Sequence, residues 1–572
     1  MKKILTFTLG ALLALTASAQ SWQDALLFSE NEYGGTARAI GMSNALTAVG
    51  GDMGSIGINP AGSAVAGYSQ MALGLGVSLS VANATSADPE LAFGDKVRTN
   101  YARVKMPNLG FTIGMDTGQR HGLKRITFGF LSNSTADYTG RMYASGVNSS
   151  NSYSGSLASR AQGYPQDAVS GQNSSYTWWN MDQYDATYNL PWDVMTAYRS
   201  GVIGMVGDNY LGLTDWDKGG GKTGVVAPLF QRYGFQTKGF KHDMVVNIGL
   251  NWSDTFYLGA NVGITRLSYG QGDYWYEAPD NVSTFPDIAF DENPHGRFQY
   301  LEGKRVFDAK GSGVYFKIGA LWRPVAGLRV GAAIQTPTVM NVETRMAYYN
   351  AAVVSGVRLN SSQSPEWNDA YNLFTPWRFN TGLAYSFGKW ALVSVDWEVV
   401  NYGRSKFRIE DESSIFYGQP QYIQDANADI HDVLGASHLL RVGAEVNFSP
   451  AFSLRAGYGL TTSGQHALLA WNDQGELRVY PLSAEERAAQ ARHQFTLGFG
   501  YKSGIFFTDV ALRYRSLPKQ YFTPYEYYGY DPADGTYAYT DKWVSDDPNY
   551  QVPEVSASYK GFDVTATVGL RF

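Results

Sequence analysis

The sequence ends in FDVTATVGLRF, residues 562 to 572, and this stretch decides the fold class. Every second residue from Phe562 to Phe572 is apolar, and the residues between them are Asp, Thr, Gly or Arg. A period of two is typical of a β-strand, because successive side chains point to opposite faces. In a water-soluble sheet the apolar face meets a core. In a membrane-spanning barrel it meets lipid, and the polar face lines the lumen.

The same alternation recurs in fourteen segments, which predicts an all-β fold: a transmembrane antiparallel β-barrel of 14 strands. An even strand number suits a closed single-chain barrel, and about ten residues suffice for a tilted strand to cross the hydrocarbon. A soluble sandwich or propeller is the alternative, although no blade-length repeat is visible. The segments are approximately 69–81, 104–116, 123–137, 241–252, 256–270, 309–323, 328–340, 376–387, 390–404, 435–447, 452–462, 491–502, 505–516 and 556–572.

Short connections alternate with long ones between these segments, and the longest spans residues 138–240. Such barrels have short periplasmic turns and long external loops, so Phe572 and the N-terminal segment are expected on the periplasmic side. The long loops carry aromatic clusters, which are typical of interfacial anchors or of a groove that captures hydrophobic ligands. In the longest loop these are Tyr176, Trp178, Trp179 and Trp192.

The composition excludes several other classes of protein. Charged residues make up 17%, compared with about 25% in soluble domains, and no run of about 18 apolar residues could form a spanning helix. The absence of cysteine excludes disulfides and thiolate metal sites, and a net charge of −6 lacks the basic footprint of a nucleic-acid binder. The seven histidines are not spaced like metal ligands, so we predict neither a metal site nor a cofactor.

The first nineteen residues predict export of the chain. Lys2 and Lys3 precede the apolar run 4–15, and small residues at 17–19 suit a signal peptidase. A retained anchor is the alternative, but the apolar run is too short to span a membrane. We therefore expect a signal peptide at 1–19, an N-terminal segment at 20–66 and a barrel with long external loops at 67–572.

Residues 20–66 do not alternate, and from Gly34 to Gly62 they are too small to build a core of their own. The segment must therefore pack against another part of the chain. Because it precedes the first strand on the periplasmic side, the barrel lumen is the nearest shelter. The sequence thus predicts an N-terminal plug inside the lumen.

Several motifs resemble the FadL family of outer-membrane transporters of hydrophobic compounds, whose N-terminal plug is called the hatch. The resemblance covers both ends of the chain and most strands, whereas the loops are unmatched. The hatch-like motifs are Ala37-Arg38-Ala39-Ile40-Gly41-Met42, Ala48-Val49-Gly50-Gly51-Asp52 and Asn59-Pro60-Ala61-Gly62; strand motifs include Trp322-Arg323-Pro324, Thr375-Pro376-Trp377-Arg378 and Leu454-Arg455-Ala456-Gly457-Tyr458.

The resemblance implies a fourteen-stranded barrel in the outer membrane of a Gram-negative-type bacterium, closed by the hatch. It further implies passive passage of hydrophobic small molecules, such as long-chain fatty acids, to the periplasm or sideways through an opening in the wall. The expected partners are this hydrophobic ligand and outer-membrane lipid, with no nucleic acid and no enzymatic activity.

Two groups of residues are the candidate sites. Asn59, Pro60 and Ala61 are the hatch or gating candidates, because asparagine and proline together favour a tight turn that could pin the plug. Lys317 and Arg329 are candidates to bind a ligand carboxylate in a largely apolar cavity through charge-assisted hydrogen bonds. The full set of charges expected to face inward is Arg266, Lys317, Arg329, Asp396, Glu398, Arg441, Glu445, Arg455, Asp509, Arg513 and Asp563.

Other functions remain open at the level of sequence. The long loops would also suit a barrel that serves as a scaffold for exported proteins, and a haem or hemin receptor is a further alternative. An outer-membrane lipid hydrolase is disfavoured, because no Ser–His pair with an orienting acid is recognisable. Asp396 and Glu398 share a strand face as catalytic carboxylates can, but the polar alternation of a barrel wall alone produces such pairs.

Overall fold

The computed structural model describes residues 21–86, 92–170, 191–219, 222–283, 285–291, 294–408, 419–471, 477–531, 536–539 and 553–572. Over these residues, fourteen antiparallel strands form one closed sheet, which confirms the predicted fold class. They are β1 (Gln70–Ser86), β2 (Val97–Asp116), β3 (Leu123–Asp137), β4 (Leu229–Trp252), β5 (Phe256–Pro279), β6 (His295–Val325), β7 (Leu328–Gln335 with Val339–Val354), β8 (Trp367–Phe374 with Arg378–Phe387), β9 (Ala391–Asn401), β10 (Ala436–Asn447), β11 (Phe452–Thr461), β12 (Arg492–Ser503), β13 (Phe506–Ser516) and β14 (Val555–Arg571).

The first and last strands close the barrel. β14 pairs with β1 from Gln70 opposite Arg571 to Ser86 opposite Val555. The backbone amide of Ser69 then donates to the carbonyl of Phe572 at 2.8 Å, and the amide of Phe572 donates to Ser69 at 3.0 Å. The C-terminal alternation therefore marks the seam of the barrel.

The outer face carries an apolar band. Along β6, Phe316 is 57% exposed and Ile318 is 60% exposed, whereas Tyr315 and Lys317 between them are buried. Exposed aromatic side chains such as Trp322 and Phe572 form a girdle at the short-turn end. A closed bacterial barrel with an outward apolar band and an aromatic girdle is an outer-membrane protein. No helix in the described ranges is long and apolar enough to cross a membrane.

Several strands are longer than the sequence predicts. β4 and β5 each have 24 residues and β6 has 31, so most of the stretch 271–308 expected as a loop is strand. The hydrophobic alternation ends where the outer face leaves the lipid and meets water, although backbone pairing continues. Periodicity therefore marks only the membrane-spanning part of these strands.

β7 and β8 are both interrupted at the same height. The interruptions are Thr336-Pro337-Thr338 and Thr375-Pro376-Trp377, and proline lacks the N–H that a central strand must donate. The threonines replace the lost ladder bonds, because the Thr338 amide donates to the Thr375 hydroxyl at 2.9 Å.

Helices lie inside the barrel and over its outer mouth. The hatch contains α1 (Trp22–Ser29), α2 (Ala37–Gly41), α3 (Met53–Ile58) and a 3-10 helix (Pro60–Val65), and most of its residues are buried within the lumen, as predicted. The outer mouth carries a cap around a shared core that includes Leu157, Val194 and Ile203. The helices outside the barrel are α4 (Tyr153–Ala161), α5 (Gln166–Ser170), α6 (Trp192–Arg199), α7 (Gln419–Val433) and α8 (Ala484–Ala489).

Short strands complete the loops. Gly140–Asn148 continues β3 alongside β4, so the longest external excursion is 149–228 rather than 138–240. Tyr176, Trp178 and Trp179 lie outside the described residues, whereas Trp192 begins α6 and is buried in the cap. The other short strands are Ile203–Val206, Asn209–Gly212, Asp215–Gly219, Lys222–Val225, Asp287–Ala289, Val357–Arg358, Ser362–Gln363, Lys406–Arg408, Ala467–Trp471, Leu477–Pro481, Gln520–Phe522, Tyr528–Asp531 and Thr536–Tyr539.

Candidate functional site

The hatch lies directly on inward-facing glycines of the wall. A Cβ atom at Gly259 of β5 would collide with the backbone of Pro60 and Ala61, and one at Gly319 of β6 would collide with Asn59. Glycine is the residue that permits so close an approach of two backbones. The small residues of the inward parity therefore form the docking surface of the hatch, which the alternation alone did not reveal.

Asn59 joins two parts of the hatch to the wall. Its side-chain amide donates to the carbonyl of Thr47 at 2.7 Å and to the carbonyl of Ala320 in β6 at 3.0 Å. Its side-chain oxygen accepts from the amide of Ala61 at 3.1 Å, which caps the 3-10 helix beginning at Pro60. The Pro60 carbonyl accepts from the side chain of Asn247 in β4 at 3.1 Å. Residues 59–61 thus fix the last turn of the hatch to three strands.

Lys317 and Arg329 contact the hatch backbone. The Lys317 ammonium donates to the Gly57 carbonyl at 2.8 Å, and the Arg329 guanidinium donates to the Val49 carbonyl at 2.5 Å. These carbonyls are the acceptors that hatch helices and turns leave unpaired at their ends. Both side chains therefore hold hatch carbonyls in this structure, and their role toward a ligand carboxylate stays a prediction.

A buried charge network lies on the β8–β10 wall. Glu398 accepts from Arg378 at 3.1 Å, from Arg441 at 3.1 Å and from Asn380 at 2.8 Å. Asp396, two residues earlier, accepts from the backbone amide of Thr47 in the hatch at 2.7 Å. The two carboxylates that share this strand face therefore have separate structural partners.

A second network links the hatch to the neighbouring part of the wall, which begins at β10 and β11. Arg38 of α2 pairs with Glu445 at 2.8 Å, and Arg455 pairs with the same carboxylate at 2.5 Å. Each buried charge of this set faces a charge of opposite sign, so removing one partner would leave an uncompensated buried charge. The expectation of a largely apolar interior is therefore wrong for this part of the lumen. Further pairs of this network include Arg455 with Asp509, Arg513 and Lys105 with Asp563, and Arg513 and Arg515 with Glu32 of the hatch.

Arg266 is a correction to the predicted set of inward charges. It lies on the exposed face of β5 with Val262 and Ile264, whereas the inward residues of this strand are odd-numbered, such as Asn261 and Thr265. The parity assigned to this position from sequence was wrong.

A small cleft of about 60 Å³, partly open to solvent, lies on the outer side of the hatch. Tyr33 and Asn44 of the hatch line it, and the wall contributes Arg441 and Arg492. The Arg441 side chain is buried beneath the Tyr33 ring, 5.3 Å from the ring centre. Two of its nitrogens, Nε and Nη1, are shielded from solvent and have no hydrogen-bond partner among the described residues. A buried cation with unpaired N–H groups next to a cleft suits a carboxylate that reaches it.

An apolar chamber adjoins this region, and α1 occupies it. Trp22, Ala25 and Phe28 of α1 are buried against one cluster of apolar wall and loop residues. The Ser29 carbonyl accepts from Arg378, and Lys241 donates to the Phe28 carbonyl at 2.7 Å, so charged groups hold the end of the helix. The chamber walls include Leu267, Tyr269, Met340, Val342, Leu373, Ile430 and Val433.

The barrel wall has a gap between β2 and β3. These strands pair only between residues 108–116 and 125–133, and in the described part of the chain Val97–Lys105 pair with β1 alone. The hatch backbone takes the place of β2, because Glu32 and Gly34 donate their amides to Thr135 and Ser134 at 2.6 and 2.8 Å. The outer part of the gap is bridged by Arg103, which donates to Asp137 at 3.1 Å and to the Gly239 carbonyl at 3.0 Å.

No protein-family model and no curated protein matches this chain. Solved structures of similar architecture include a FadL homologue of Pseudomonas aeruginosa, 11% identical with a TM-score of 0.49, covering 95% of this chain and 99% of that one. The toluene transporter TodX of P. putida is 12% identical over 94% of this chain and 99% of its own, with a TM-score of 0.45. The toluene transporter TbuX of Ralstonia pickettii is 12% identical over 94% and 98%, with a TM-score of 0.43. At these values the fold rests on the strand order and hatch contacts described above.

Proposed function

We propose that the protein gives hydrophobic small molecules, such as long-chain fatty acids, passive passage across the outer membrane, as a member of the FadL family. The observation that carries this proposal is the gap between β2 and β3, where the hatch meets β3 through the backbone amides of Glu32 and Gly34. A plug that covers an opening toward the bilayer suits cargo that prefers lipid to water.

The proposed route begins at the outer cleft and continues to the apolar chamber around α1. A ligand that displaces α1 replaces the contacts of Trp22 and Phe28 with its own apolar surface. Movement of the connected segment Glu32–Gly34 away from β3 then opens the wall. No energy source is required, because the ligand moves down its own concentration gradient.

Arg441 is the proposed first contact for a ligand carboxylate that displaces the Tyr33 ring, because its buried Nε and Nη1 atoms have no hydrogen-bond partner among the described residues. Lys317 and Arg329 follow in this proposal once the Gly57 and Val49 carbonyls have moved with the hatch. A cargo without a carboxylate would use the apolar chamber alone.

The proposal is tested by tying the hatch to the wall at the gap. A Cβ placed on Gly34 would lie 3.2 Å from the Cβ of Ser134 and 2.9 Å from its carbonyl oxygen, so a shift of a few tenths of an ångström brings the pair to the spacing of a disulfide. The chain has no cysteine of its own. In the double variant Gly34→Cys/Ser134→Cys, we expect oxidation to abolish uptake of a labelled fatty acid into cells or proteoliposomes. Reduction should restore it.

The two single-cysteine variants are the matched controls, and neither should respond to oxidation. Electrophoretic mobility of the unheated protein confirms that the barrel has formed in each variant. Uptake that is equal in the oxidised and reduced double variant would contradict passage through this gap.

A further inference from the structure

Two cations, Arg266 and Lys310, lie together with His242 on the outer face of β4, β5 and β6. Arg266 of β5 is directly opposite His242 of β4 and Ser312 of β6. One step farther out on the same face, Ser268 lies opposite Lys310. Residues directly opposite on adjacent strands have Cβ atoms about 5 Å apart, so these side chains are neighbours.

Their height coincides with the outer edge of the apolar band. On β5 the outward residues Leu258, Val262 and Ile264 are exposed, and Arg266 is the next outward residue. On β6 the outward series runs from Phe316 through Val314 to Ser312 and Lys310. Same-face residues are about 6.6 Å apart along a strand, so both cations lie within one or two steps of the band.

These cations lack protein partners. Arg266 and Lys310 are exposed, and neither takes part in an ion pair or side-chain hydrogen bond among the described residues. Glu343 of β7 is opposite Lys310, but the two do not form an ion pair. Farther out the pattern differs, because Arg345 pairs with Asp308 at 3.0 Å and with Glu366 at 3.1 Å.

We propose that Arg266, His242 and Lys310 bind a phosphate group of the phosphorylated glycolipid (lipid A) in the outer leaflet. Cations at the boundary between hydrocarbon and headgroups are attracted to anionic headgroups. Arginine and lysine form charge-assisted hydrogen bonds with phosphate oxygens, and the Ser312 hydroxyl is in place to add another. The acyl chains of the same lipid would cover Ile264 and Val314 directly below. This apolar surface distinguishes a lipid from free phosphate.

The site lies beside the wall gap, since Ser134 at the gap is paired with His242. A lipid held here would order the bilayer next to the proposed exit. The lipid site itself does not depend on the transport proposal, because its contacts are all on the lipid-facing surface.

The test measures lipid binding to the full-length barrel after delipidation. The probes are lipid A, its dephosphorylated form and inorganic phosphate, and binding is followed by native mass spectrometry. We expect lipid A to bind wild type, and to bind about fivefold more weakly for each cation removed in Arg266→Ala and Lys310→Ala. The dephosphorylated form should bind the wild type as weakly as lipid A binds the double variant Arg266→Ala/Lys310→Ala. Rising salt should weaken only the phosphate-dependent binding.

Arg323→Ala is the matched control, since Arg323 is an exposed arginine at the periplasmic end of the same strand, β6. It should leave lipid A binding unchanged, whereas Glu343→Gln should strengthen it by removing a nearby negative charge. Equal binding of lipid A and its dephosphorylated form would overturn the proposal, as would full displacement of lipid A by millimolar phosphate. All the substituted side chains are exposed, so folding is checked by the mobility of the unheated barrel.

Discussion

Asn59 shows how a single side chain holds the plug in the barrel. It is fully buried, and its side chain forms hydrogen bonds with Thr47, with Ala61 and with the carbonyl of Ala320 in β6. Replacing Asn59 by Ala leaves the buried Thr47 carbonyl and the buried Ala61 amide without this partner, which costs about 1–3 kcal/mol. We expect faster hydrogen exchange across residues 21–66 and altered uptake of a labelled fatty acid, with the barrel intact.

The exposed Asn100 of β2 provides the matched control, because Asn100→Ala removes the same group from the surface. Exchange and uptake that stay at wild-type values in Asn59→Ala would contradict a gating role for this residue. Exchange as fast as that of a free peptide in the wild type would contradict the plug itself.

Glu277 is expected to make the docking of the outer cap depend on pH. It lies in the part of β5 above the membrane, accepts from the Tyr153 amide at 2.5 Å and from Gln231 at 2.6 Å, and so holds the start of α4. Burial disfavours its charged form and raises its pKa from 4.5 to about 8, although these hydrogen bonds oppose the shift.

In a detached cap the Glu277 carboxyl is solvated and has its ordinary pKa, so docking takes up a proton between about pH 5 and pH 8. Docking should therefore be strongest below pH 5 and weaken by up to about 1.4 kcal/mol per pH unit until pH 8. Hydrogen exchange of α4 measured from pH 5 to pH 9, corrected for the intrinsic rate, reports this change.

Glu277→Gln imitates the protonated form and should remove the pH dependence, whereas Glu366→Gln, at an exposed ion pair, should not. A variant that keeps the wild-type pH profile would show that another group is responsible.

At the scale of elements, the glycines of the wall are as important to the hatch as its own residues. Gly259→Leu would place a side chain where the backbone of Pro60 and Ala61 lies, and overpacking of this kind costs about 1–3 kcal/mol. We expect protection from hydrogen exchange to be lost in residues 53–65, while β5 stays paired with β4 and β6. Ala260→Leu, on the adjacent outward position, is the control and should leave the hatch protected. Undiminished protection in Gly259→Leu would show that the hatch is held elsewhere.

The sequence predicts the elements well where lipid imposes a pattern and poorly elsewhere. The count of fourteen strands follows from the apolar parity, because each strand must present that face to hydrocarbon. The extension of β6 over residues 295–308 has no such signal, because both of its faces meet water or protein there. The hatch was predicted from its small residues and from the family resemblance. Its backbone hydrogen bonds to Ser134 and Thr135 were not predictable, because main-chain pairing does not depend on residue type.

The candidate site was also only partly predictable, because residue patterns do not show which groups contact each other. Parity correctly placed Lys317, Arg329 and Arg441 inside the barrel, but it does not tell which inward cation has a partner. The hatch supplies carbonyls to the first two, and Glu398 satisfies only part of Arg441. These pairings depend on the path of the hatch backbone within the lumen, which only the three-dimensional structure shows.

The whole molecule is a closed barrel whose lumen is filled by a charged plug and covered by a cap. Hatch carbonyls accept from wall cations, the hatch carboxylates of Glu30 and Glu32 pair with wall arginines, and Arg38 of the hatch pairs with a wall carboxylate. The lumen therefore has few groups left to attract ions into a continuous water path. A large porin conducts because its lumen is an open aqueous channel. We therefore expect the wild-type protein in planar bilayers to conduct ions far less than an open porin.

Removal of residues 21–66 should raise the conductance several-fold, because Glu445, Arg455 and Asp563 would then line an open water path. Unheated mobility on gels checks that the deleted form is still a barrel, and Gly259→Leu, in which the hatch is present but undocked, should conduct at an intermediate level. A wild-type conductance equal to that of an open porin would contradict the plug as a barrier. Equal low conductance in all three forms would instead place the barrier in the cap, since the cap is the element they share.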